Sequence, residues 1–178
     1  CRAAAPFEVL KLNHARDVPT GIYTYHQMAS VYLRRDTGTL QKVAATSSEA
    51  CGISAAQVVR GRLETRSYFD GQGDRSQAWP AGAIPEDGLP AALRDYVTGE
   101  EPPAALRVFP SLMQSRFPEL AAAEWKVERR TVEGGVELRL TRERDFLAYT
   151  FDSAAPHRLL RFERADGTVY EMKKCERL

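Results

Sequence analysis

The sequence predicts an α+β fold that is mostly β: a curved antiparallel sheet, an incomplete barrel, with one or two covering helices. Three observations carry this. In the last third of the chain, Val136, Leu138 and Leu140 alternate with Glu137, Arg139 and Thr141, the period of two expected of a strand with one buried face. Leu147, Tyr149 and Phe151 repeat the pattern, and Leu160 with Phe162, then Tyr170 with Met172, follow turns at Pro156 and Asp166-Gly167. Helical spacing is clear in one stretch, where Leu89, Leu93, Tyr96 and Val97 fall on one face.

The elements follow in order. Residues 1–20 read as a small-residue tether, Arg2 to Pro6, and a docking segment with Phe7, Val9, Leu10 and Leu12. Residues 21–178 read as a single β-rich half-barrel domain, a length that supports one core. Ile22 to Arg35 is a strand whose apolar positions change phase between Tyr25 and Val31. Asp36-Thr37-Gly38 turns it into a returning strand from Leu40 to Thr46. Ser47 to Ser54 reads as a loop, and Ala55 to Phe69 as one strand bulged at Gly61. Asp70 to Asp74 is a turn; it lacks the spaced oxygen ligands and closing Glu of a calcium loop. Asp87-Gly88-Leu89-Pro90 has the acidic cap and first-turn proline of a helix start, and the helix runs to Gly99 across the concave side of the sheet. Leu106, Val108 and Phe109 form a short strand. Trp125 and Val127 point inward, and Gly134-Gly135 closes the next hairpin.

Charge argues against one class of partner. Lys and Arg number 25 against 24 Asp and Glu, which removes the electrostatic reason to propose nucleic acid, where a strongly basic face would be expected. Arg and Glu are interspersed on the strands, as in cross-strand ion pairs on a solvated face. No run approaches the ~20 apolar residues of a membrane-spanning helix.

Catalytic chemistry is sparse. The 3 histidines, His14, His26 and His157, share no ligand spacing with one another or with Cys, which fits structural or surface roles. No metal or cofactor is expected, and no CxxC or zinc spacing exists. Cys1 has two readings besides an arbitrary start. As an N-terminal nucleophile it would use its own amino group as base, but the Ala-rich tether does not suit the layered core such hydrolases need. As the first residue of a processed bacterial lipoprotein it would carry acyl chains, two of which anchor a protein stably; this is the expected reading. Cys51 and Cys175 then remain as an even pair in an oxidising compartment. A bridge across so long a loop would contribute about 4–5 kcal/mol in the chain-entropy picture; the alternative is two buried free thiols.

The run Leu147 to Glu163, with Phe151-Asp152-Ser153-Ala154-Ala155-Pro156-His157, then Asp166-Gly167-Thr168 and Tyr170-Glu171-Met172, resembles the closing strands of a group of bacterial envelope proteins. These are similar in turn to lipoprotein carriers of the LolA/LolB type. Pro85 to Leu93 resembles their covering helix. The resemblance implies an incomplete barrel with an apolar cavity able to hold acyl chains, and Leu89, Leu93, Tyr96, Trp125, Tyr149, Phe151 and Phe162 are the cavity candidates. It brings no catalytic residues. Arg2 after Cys1, where Asp would imply inner-membrane retention, implies the outer membrane facing the periplasm. The expected function is therefore non-enzymatic: an anchored protein binding a lipid or acylated protein in its half-barrel. The alternative is an accessory lipoprotein that scaffolds an outer-membrane protein assembly through its surface.

Overall fold

The computed structural model describes residues 6–99 and 101–176. The chain is mostly β, 54% strand against 6% helix, and among the described residues its strands lie in two antiparallel-rich sheets, one of six strands and one of seven. Strand pairing, not helix packing, therefore sets the architecture. Two compact units are present, Cys1–Leu89 with Val108–Ala122 and Pro90–Arg107 with Ala123–Leu178.

In the first unit β1 (Val9–Pro19), β2 (Thr24–Arg34), β3 (Leu40–Glu49), β4 (Gly52–Val59), β5 (Arg62–Arg66) and β6 (Arg75–Ala78) form an antiparallel meander in chain order. The expected phase change in β2 does not occur: Tyr25, Ala29, Val31 and Leu33 share one face. The registers lay that face out in rows. Val31, Val43, Val58 and Leu63 stand side by side across four strands, and Ala29, Ala45, Ala56 and Thr65 form the next row. Gln27, Ser47 and Ser54 form a third. All but Gln27 of these are buried, so one face grades from bulky to small to polar.

Two turns differ from expectation. The loop expected at 47–54 is a tight hairpin, because β3 runs on to Glu49 and β4 starts at Gly52. The strand expected from Ala55 to Phe69 is two strands. Arg60 and Gly61 both have positive φ, 52° and 72°, the backbone of a two-residue type I′ hairpin, whose twist matches the flanking strands.

The unit's buried set is completed by Leu89, Val108, Phe109, Leu112, Met113 and Phe117. β7 (Ile84–Pro85) pairs in parallel with Val108 and Phe109, and the Trp79 ring lies 4.5 Å from that of Phe109.

The second unit is the meander that the alternation predicts: β9 (Ala123–Val132), β10 (Gly135–Arg142), β11 (Asp145–Asp152), β12 (Leu159–Arg164) and β13 (Val169–Glu171); the neighbour of β9 is β8 (Ala105–Phe109), of which residues up to Arg107 belong to this unit. Val136, Leu138 and Leu140 of β10 and Leu147, Tyr149 and Phe151 of β11 are buried. Gly135 is demanded by close approach, since a Cβ there would collide with the Phe151 carbonyl oxygen. That carbonyl is backbone, so the strands must part to admit a methyl group. Gly135→Ala is expected to cost about 2–3 kcal/mol, in the range of overpacked cores, read as a lower urea midpoint at unchanged slope.

The helix is shorter than its apolar stripe suggests. A single α-turn, α1 (Leu89–Ala92), lies between 3-10 turns at Glu86–Gly88 and Arg94–Tyr96. Pro85 is the N-cap of the first of these 3-10 turns and has no side-chain acceptor to cap it; Asp87, expected as the helix cap, lies inside that turn, and its carboxylate is engaged by Ser111 and Leu112.

Candidate functional site

Cavity candidates are mostly core. Leu89, Leu93 and Phe151 are 0% exposed, Tyr149 2% and Trp125 8%; Tyr96 and Phe162 are half-buried. Leu89 belongs to the first unit and the other six to the second. Tyr149 and Phe162 do come together, paired across β11 and β12 with ring centroids 4.8 Å apart. The ladder continues to Tyr170 at 5.9 Å, an exposed ring the cavity list missed although its spacing in the meander was legible.

Cys1 lies outside the described residues. The bridge expected between Cys51 and Cys175 is not formed: both are free, exposed thiols. Cys51 sits at the tip of the β3–β4 hairpin, where its N–H donates to Glu49 Oε2 at 2.9 Å. Glu49 also accepts from the Tyr68 hydroxyl at 2.5 Å. The Tyr68 and Cys51 hydrogen bonds hold the Glu49 carboxyl below its ordinary range. Desolvation, then Glu49, pushes the Tyr68 phenol well above its own. The Tyr68 ring lies on Gly52, where a Cβ would stand 2.6 Å from it.

Buried polar groups serve architecture. Asp87 is 4% exposed; its carboxylate accepts from Ser111 Oγ at 2.6 Å and from the Leu112 N–H at 2.7 Å. Burial pushes its pKa up, against those bonds and the nearby His14 and Arg16. Burial also pulls His14 down, while Asp87 opposes. On the serine row, Ser47 Oγ and Ser115 Oγ are 2.7 Å apart, and Ser54 and Ser67 both donate to the Ser115 carbonyl. These bonds join the 111–116 segment to the small-residue part of the sheet. Among the described residues no group of three or more His, Cys, Asp and Glu is placed to hold a metal. No helix among them is long and apolar enough to cross a membrane.

The feature left unconsumed by packing is the edge strand β1. Its 11 residues pair with β2 alone among the described strands. The Arg35 N–H donates to the Glu8 carbonyl and the Thr20 N–H to the Tyr23 carbonyl, continuing the register at each end. Even-numbered residues therefore make the hydrogen-bonded pairs with β2. Val9, Lys11, Asn13, Ala15 and Asp17 direct their N–H and C=O groups to the open side, and Pro19 directs a C=O. The other sheet margins are short: β6 has 4 residues, β7 has 2 and β13 has 3. Short edges are the usual protection against unwanted pairing, and β1 lacks it.

No family model, curated protein or solved structure matches this chain.

Proposed function

We propose that this protein is a non-enzymatic component of the bacterial envelope that acts by docking another chain, with the open edge of β1 as its docking element. The observation that supports it is the 11-residue length of that edge with one paired side. A strand added there gains main-chain hydrogen bonds along its whole length, the basis of recognition by strand addition. Among the two expected functions this favours the scaffold over the apolar-ligand carrier. The carrier reading needs room beside its seven candidate residues, but five of them are at most 8% exposed, so an acyl chain would have to displace core side chains.

Acylation of Cys1, and with it the outer-membrane position facing the periplasm, belongs to the same reading. The test is native mass spectrometry of the protein released gently from membranes. Acyl mass on Cys1 with a bound protein chain is the expected result. An unmodified chain carrying a lipid and no protein would overturn the docking reading in favour of the carrier.

A further inference from the structure

We infer that the occupant of the β1 edge is a second copy of the same chain, paired antiparallel about a two-fold axis at His14. This rests on the docking reading above and names its partner.

Hydrogen-bond parity limits the choices. The groups free to pair are those of the odd-numbered residues from Val9 to Asp17, so odd residues must face odd residues across the new junction. For an antiparallel self-pairing this leaves a few registers, and charge distinguishes them. Placing His14 opposite His14 sets Lys11 against Asp17 of the second copy, and Asp17 against its Lys11. Both belong to the outward face of β1, where exposed positions alternate with half-buried ones. Asn13 then faces Ala15, and Val9 faces Pro19, which needs to offer only its carbonyl. Sliding the register so that Asn13 faces itself leaves Lys11 against Ala15 and Asp17 against Val9. Setting Lys11 against itself opposes like charges. One register alone makes both charges complementary, and the two-fold axis makes it twice.

Charged residues on an edge ordinarily oppose association. Here their spacing about His14 converts them into a selective pair, because the isologous contact presents each sign to the other. Asp17 is already held on the outer face by a 2.7 Å contact to His26 Nδ1, and the Lys11 ammonium lies 5.5 Å over the Tyr32 ring. Both side chains thus stand on the face where the cross-strand pair forms.

The test is sedimentation equilibrium of the full chain, with three variants. Ala15→Pro removes a donor that faces the open edge and breaks no bond to β2, a position where proline is tolerated. Lys11→Asp sets carboxylates against each other across the junction. Lys11→Asp with Asp17→Lys restores opposite charges in the same register. The expected result is a wild-type dimer, loss of dimer in Ala15→Pro, weakening by roughly tenfold in Lys11→Asp, and recovery in the double variant. A monomeric wild type, or a dimer indifferent to Ala15→Pro and Lys11→Asp, overturns the self-pairing. The wider docking reading fails separately, if Ala15→Pro leaves every chain bound in native membranes unchanged.

Discussion

Asp87→Ala is expected to lower the unfolding free energy by about 2–5 kcal/mol. The substitution leaves Ser111 Oγ and the buried Leu112 N–H without the carboxylate they bond. An orphaned buried donor costs about 1–3 kcal/mol. Asp87→Asn keeps one acceptor oxygen and is expected to lose less. The pair also yields a pH signature. Burial raises the folded-state pKa of Asp87, so between its unfolded value, about 3.9, and its folded value the native state binds more protons. Stability then falls as pH rises through that window. Wild type should therefore gain on Asp87→Asn as the solution is acidified through it. Urea titrations of both proteins at a series of pH values measure the difference. A pH-independent gap would mean that the carboxylate is not paying a desolvation cost in the folded chain.

Phe151→Ala is expected to cost about 3–5 kcal/mol, the usual range for a buried aromatic. Phe151 is fully buried and stands between Val136 on β10 and Leu159 on β12. The same truncation at half-buried Phe162 should cost visibly less. The comparison separates two roles for these rings. A ring lining an open ligand cavity would be lost at a smaller cost, and lipid occupancy would change instead. Calorimetry of the two variants, with bound lipid measured in parallel, decides between them.

The legible parts of this chain were those governed by local periodicity. Val136 to Leu140 and Leu147 to Phe151 stated their strand and buried face outright. So did Leu106 to Phe109 as a short strand. The Arg60-Gly61 hairpin was hidden because Arg carries no turn signal; its positive φ is imposed by the strands on either side, and Gly61 alone suggested a bulge. Asp87 illustrates a different loss. Its neighbours in sequence argue for a helix cap, while its partners Ser111 and Leu112 lie far along the chain, and no spacing rule reaches them. The cysteine pairing failed for the same reason, since an even count says nothing of where two thiols stand. The apolar residues of β1 mark it as a docking segment. Its open side follows from which strands pair, a property of the whole sheet.

Both compact units are discontinuous, and this has a consequence for how the protein can be made. Residues 108–122 return to complete the first unit after the chain has entered the second. During synthesis the first meander emerges whole, yet Phe109, Leu112, Met113 and Phe117 are still to come, as are both partners of Asp87. At roughly 5–20 residues per second the apolar rows of that sheet wait for seconds on the ribosome without their cover. A chain released early near Leu89 would present that face, and the unpaired β1 edge beside it, to its neighbours. Efficient production should then depend on chaperone holding during that interval, and no single cut of the gene yields either unit intact.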